Sequence, residues 1–67
     1  MSPFHNKVDT IVDLAKQRLL DNPLEVLFLA PAARSVLREE ISLEEALLSD
    51  KLAIRTIAEI VLELEQK

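Results

Sequence analysis

The absence of glycine is the feature that most restricts how this chain can fold. The chain has 67 residues, contains no glycine and no cysteine, and is 49% hydrophobic. Glycine provides the positive-φ turns and close backbone approaches that phosphate-binding loops and dinucleotide-binding folds need. Cysteine and histidine provide most metal sites and many nucleophile pairs, and the chain has one histidine. We therefore expect packed helices and a function that depends on surfaces rather than on catalysis.

The length predicts a single helical domain spanning residues 1–67. Domains of this size bury only about 60% of the surface that the unfolded chain exposes. Small scaffolds without disulfides or metals are often stabilised by regular helix packing or by oligomerisation. We therefore expect a homodimer.

The charge balance restricts the partners. The chain has 12 acidic and 8 basic residues and a net charge of −4, and its basic residues are dispersed, so we expect no direct contact with nucleic acid. Asp9 and Asp13 interrupt the first apolar pattern, which is unlike a secretory signal. No stretch approaches the roughly 20 apolar residues that span a bilayer. We expect no membrane contact and a cytoplasmic location.

Two proline-containing pairs divide the first half of the chain. Ser2 before Pro3, and Asn22 before Pro23, each combine an N-cap residue with proline at the first helical position. The first pair predicts a helix over about residues 3–21. Its inward stripe consists of Phe4, Val8, Ile11, Val12, Ala15 and Leu19.

The next segment, residues 24–30, is an apolar run whose periodicity fits either a strand or a buried helix. A strand would need a partner strand that the rest of the chain does not offer, unless two copies pair. We therefore predict a short helix that ends before Pro31. If Ala30 stays helical, the alternative is one kinked helix that continues through the proline.

Three further helices are expected, over about residues 31–40, 43–48 and 51–66. Pro31 is suited to the first position of a helix. Ser42 followed by Glu45 is a capping box. Ser49 or Asp50 is expected to cap the last helix.

The last helix has the strongest amphipathic pattern, because its apolar side chains cover an arc of about 200° on a helical wheel. One neighbouring helix does not cover such an arc, so this helix either sits centrally or packs one side against a second chain. We predict an all-α bundle of three to four helices with the last helix central. We expect homodimerisation to complete its core through Ile54, Ile57, Ile60, Val61 and Leu64.

Two groups of residues are candidates for binding a partner protein. Leu24, Leu27 and Phe28 form an apolar ridge in which Phe28 is the best candidate for an anchor, and packing in the core is the alternative role for Phe28. Arg34 and Arg38 lie one turn apart on one helix face, where like charges repel unless an anionic group lies between them. They either neutralise the chain's own acidic residues or bind a partner's carboxylates or a phosphate.

Catalytic and metal chemistry have little support in the sequence. His5 and Asp9 stand four residues apart on the first helix, but two ligands near a helix end are weak evidence for a metal. We predict no metal, no cofactor and no enzymatic activity. A minimal enzyme would need to pair His5 with a carboxylate across a dimer interface.

These patterns favour a non-enzymatic protein–protein interaction module, a small adaptor or regulatory subunit that acts through apolar helix faces. The alternative is a small acidic inhibitor, transcription-linked or antitoxin-like, that binds a basic protein surface through the acidic stretch from Glu39 to Asp50. Salt separates the two hypotheses, because screening weakens charge pairing more than apolar contact.

Overall fold

The computed structural model describes residues 3–66, with side chains from residue 6 onward. This part of the chain is helical and contains no strand. Its helices are α1 (Pro3–Arg18), α2 (Pro23–Val26), α3 (Leu29–Leu37), α4 (Leu43–Leu47) and α5 (Leu52–Glu65). The predicted all-α fold is confirmed. The described region holds five helices, one for each helical segment expected from the sequence but more than the three to four expected for the bundle; two of them, α2 and α4, have only 4 and 5 residues.

The inward stripe predicted for α1 is confirmed for the described side chains. Four of its members are buried and one is partly buried: Val8, Ile11, Ala15, Leu19 and Val12. The predicted Ser2 cap and the side chain of Phe4 lie outside what the structure describes. The helix ends at Arg18, earlier than expected, and a turn leads to α2.

The break between α2 and α3 lies at Leu27 and Phe28, not at Pro31 as predicted. Proline has no N–H, and its ring clashes with the carbonyl four residues earlier, which here belongs to Leu27. Both break residues keep helical backbone angles, and the Phe28 carbonyl accepts a hydrogen bond from Ala32 N–H at 3.0 Å. Residues 24–30 therefore belong to one interrupted helical segment, close to the kinked-helix alternative.

A Schellman motif ends α3. Glu39 adopts the left-handed conformation, with φ of 62°. Its N–H donates to the Val36 carbonyl at 3.1 Å, and the N–H of Glu40 donates to the Ser35 carbonyl at 3.0 Å. This is the position where glycine is most common, so a chain without glycine places a glutamate in a strained conformation.

The predicted cap of α4 is confirmed, whereas those of α5 are not. The Ser42 hydroxyl accepts a hydrogen bond from Glu45 N–H at 3.2 Å. At α5 the N-cap position is Lys51, whose N–H donates to the Ser49 hydroxyl at 3.1 Å, outside the helix.

Helix α5 is the centre of the bundle, as predicted, and it contacts each of the other four helices. This arrangement buries even Thr56, which the helical wheel places on the polar side; the residue is only 4% exposed. Several of the core positions are alanines, which let helix axes approach closely. They are Ala15, Ala32, Ala33, Ala46, Ala53 and Ala58.

Candidate protein-interaction surface

The apolar ridge of Leu24, Leu27 and Phe28 is exposed in the folded chain. These side chains keep 74%, 72% and 60% of their surface accessible to solvent. Their spacing places them on one side of the α2 segment, whereas Val26, on the opposite side, packs against the core. None of the four residues of α2 is buried. The structure therefore presents the three predicted ridge residues together on the surface.

Two other leucines, neither of them predicted as a site residue, are exposed to a similar extent. Leu20, in the turn after α1, is 78% exposed, and Leu48, directly after α4, is 84% exposed. Leu20 does not belong to the inward stripe of α1, and this position off the stripe could have predicted its exposure. The exposure of Leu48 could have been predicted from its position at the end of a short helix, next to the polar residues Ser49 and Asp50.

A groove of about 390 Å³ lies beside Phe28, between α3 and the start of α5. It is within the size range of sites that bind small ligands or a few side chains. Its lining is apolar in the middle and polar at its edges: Phe28, Pro31, Ala32, Ala53 and Ile54, with Glu25, Ser35 and Lys51. The ridge therefore continues into a concave surface.

A hydrogen bond across this groove connects α2 to α5. A carboxylate oxygen of Glu25 accepts from the backbone N–H of Ala53 at 3.3 Å. The first N–H groups of a helix have no partner within it, and α5 has no side-chain hydrogen bond from its own N-cap residue. Glu25 therefore satisfies a free end of α5 and holds the ridge next to the groove.

The two predicted arginines lie on the exposed side of α3. Arg34 follows Pro31 by three residues, so it lies beside the groove on the helix surface. Arg38 occupies the C-cap position of α3, is exposed, and takes part in an interaction within the chain. A role of either residue in binding a partner stays a prediction.

The structure buries three of the five residues expected to mediate self-association. Ile57, Ile60 and Val61 are 0%, 1% and 7% exposed, because α5 is surrounded by helices of its own chain. In the folded protomer these three side chains are therefore not accessible to a second chain, and self-association through them stays a prediction. Ile54 is partly buried and lines the groove, and Leu64 is 37% exposed.

No protein family model matches this chain, and no curated protein or solved structure matches it either.

Within the part of the chain that the structure describes, no group of three or more His, Cys, Asp or Glu side chains is placed to hold a metal ion. None of the described helices is long and apolar enough to cross a membrane. His5 and Asp9 were weighed above as a metal-binding pair. The side chain of His5 lies outside the described side chains.

Proposed function

We propose that this chain is a non-enzymatic protein-interaction module that acts as a small adaptor or regulatory subunit, without metal or cofactor. The observation that carries the proposal is the exposure of Leu24, Leu27 and Phe28 beside a preformed groove. Adjacent exposed apolar side chains of this kind mark protein-binding surfaces more often than single exposed leucines do. A cytoplasmic location belongs to the same proposal, and the lack of cysteine is compatible with it.

The ridge by itself supports only weak binding. Covering a fully exposed leucine or phenylalanine stabilises a complex by about 1.5–3 kcal/mol, so the three partly exposed ridge residues contribute about 3–6 kcal/mol together. Association costs at least about 4 kcal/mol in lost translational and rotational freedom. A partner that binds stably must therefore also occupy the groove or pair with charges around it.

Self-association is part of the proposal, although by another surface than the expected one. The broad apolar face of α5 suggested an incomplete core, but the other helices of the same chain cover it. The apolar side chains that remain for a second copy are the exposed ones, including Leu48 and the ridge.

Site-specific photo-crosslinking tests binding at the ridge. A photoreactive residue replaces Leu27, which is 72% exposed, and in the matched control it replaces Gln17, an exposed residue of α1. We expect a defined crosslinked protein at position 27 and none at position 17. The double variant Leu24→Asp, Phe28→Asp should compete poorly for the same partner, because it places charge where apolar contact is needed.

The matched competitor is Leu20→Asp, which alters a leucine of similar exposure outside the ridge. It should compete as well as the unmodified chain. Equal competition by the ridge variant and this control would contradict the proposal, even if some protein were captured.

The acidic inhibitor is the second candidate function. One observation favours it: Glu39, Glu40, Glu44, Glu45 and Asp50 are all exposed, so their carboxylates are available to a basic surface. A complex that forms through them should weaken strongly as salt rises from low to physiological concentration. A complex that forms through the ridge should be nearly insensitive to salt.

A further inference from the structure

The surface around the groove beside Phe28 carries a basic rim of three cations, Arg34, Lys51 and Arg55, although the chain as a whole has a net charge of −4. Of the three, only Lys51 lines the groove itself, where Glu25 is the one carboxylate. Lys51 is the N-cap residue of α5. Arg55 follows it by four residues, and Arg34 follows Pro31 by three, so both lie next to lining residues on their helix surfaces. All three cations are exposed, and none forms an ion pair with another described residue.

The carboxylate within the groove does not neutralise this rim by an ion pair. Glu25 is half-buried and its carboxylate accepts the hydrogen bond from Ala53 N–H. The groove therefore combines an apolar floor with cations at its edge. An occupant that complements it has an exposed apolar side chain with carboxylates one turn away.

The chain itself carries such a surface at the end of α4. Leu48 has the largest exposed fraction, 84%, among the described large apolar side chains. Glu44 and Glu45 precede it by four and three residues, and both of their carbonyls accept a hydrogen bond from Leu48 N–H, at 3.2 Å each. The helical geometry therefore places both carboxylates on the same face as the leucine.

We propose that two copies of this chain form a dimer in which Leu48 of each copy enters the groove of the other. Glu44 and Glu45 of one copy then lie against the basic rim of Arg34, Lys51 and Arg55 of its partner. Charge complementarity selects a second copy as the occupant. This inference deepens the proposed self-association. A partner that binds at the ridge and also enters the groove competes with this dimer, because both contact Phe28.

The position of both surfaces favours a closed dimer over a filament. Lys51 lies on the groove rim and is only three residues from Leu48, so groove and leucine lie near the same end of α5. In an isologous dimer both leucine–groove contacts form at the same time, which leaves no free groove or leucine for a third copy. Each copy contributes one leucine and its neighbouring carboxylates to each of the two contacts, which is little for a stable interface, so we expect the dimer to form at high rather than low micromolar concentration.

Sedimentation of the full chain over a micromolar to millimolar dilution series tests this dimer. The mass should rise from one protomer toward two and no further, and high salt should shift the transition to higher concentration. Leu48→Glu should weaken the dimer at least tenfold. Leu20→Glu, at a leucine with 78% exposure outside the groove, should leave it unchanged.

Charge reversal identifies the contact itself. The chain with both Arg34→Glu and Arg55→Glu should stay monomeric, as should the chain with both Glu44→Arg and Glu45→Arg, because each then opposes like charges. An equimolar mixture of the two should dimerise again, since in the mixed dimer both contacts bring opposite charges together. Circular dichroism of each variant checks that it is folded.

Three results would overturn the inference: a wild-type chain that stays monomeric throughout, a dimer that Leu48→Glu leaves intact, or folded variants that do not pair when mixed. Crosslinking at position 27 of the Leu48→Glu variant, which keeps the ridge and the groove intact, reports on the partner-binding proposal separately. A dimer abolished by Leu20→Glu but not by Leu48→Glu would assign self-association to another surface.

Discussion

The carboxylate of Glu25 caps the first turn of α5 from a different helix, through a 3.3 Å hydrogen bond to the backbone N–H of Ala53. The two residues are 28 positions apart in the chain. α5 thus begins at Leu52 without a side-chain cap from its own N-cap residue, Lys51, and obtains one from α2. The negative charge also lies near the positive end of the α5 helix dipole.

Replacing this remote cap should weaken the fold. Glu25→Ala leaves the Ala53 N–H without its acceptor, and we expect the free energy of unfolding to fall by about 1 kcal/mol, as for loss of a local N-cap. Urea denaturation followed by circular dichroism measures this change. Glu25→Gln is the matched control, because its amide oxygen can still accept the hydrogen bond, and it should lose less than half as much. A loss of the same size in both variants would assign the effect to the charge rather than to the hydrogen bond.

At Glu39, by contrast, we expect a substitution to stabilise the fold. The φ of 62° at this position costs a residue with a Cβ about 1–2 kcal/mol, whereas glycine adopts this angle freely. Glycine also makes the unfolded chain more flexible, so we expect Glu39→Gly to raise the free energy of unfolding by a net of about 0.5–1 kcal/mol. Glu40→Gly, one residue further and without positive φ, should not stabilise the chain. If neither variant differs from the wild type, the left-handed conformation at Glu39 is not strained in solution.

Ile57 is fully buried at the centre of α5, and truncating it should destabilise the monomer. Ile57→Val is expected to lower the free energy of unfolding by about 0.5–1.5 kcal/mol, and Ile57→Ala by about 2–5 kcal/mol, because cavities form that the packed helices do not fill. For a chain of this length the larger value approaches the whole stability of a typical domain. Ile54→Val, at a partly buried position, should cost less. Thermal and urea denaturation give the values, and an equal cost at both positions would contradict the burial seen here.

The ion pair between Arg18 and Glu63 joins the end of α1 to α5, with a nitrogen–oxygen distance of 2.7 Å. Both side chains are largely accessible, at 43% and 55%, so solvent screening keeps the interaction weak. A double-mutant cycle with Arg18→Ala and Glu63→Ala should yield a coupling energy of about 0.2–1 kcal/mol, and less in high salt. A coupling that salt leaves unchanged would indicate that the pair is more shielded than its exposure suggests.

Part of the candidate surface was visible in the sequence, because the side that these residues share follows from local helical geometry. Leu24, Leu27 and Phe28 share one side of their segment by spacing alone. Leu48 and the groove were not recognised, since a groove between α3 and α5 exists only once the two helices pack. Ile57, Ile60 and Val61 were assigned to a dimer interface because a helical wheel shows which side chains are apolar, but not what covers them.

The sequence by itself determined that the chain is helical, where α4 is capped and which stripe of α1 faces inward, because these depend on residues within one or two turns of each other. Tertiary structure decided the rest. The break at Leu27 shows this division, since its cause, Pro31, is local, whereas the outward direction of the ridge depends on how α2 rests on α5. Likewise, the cap of α5 is a carboxylate 28 residues away, and contacts over such a separation arise only when the helices are packed together.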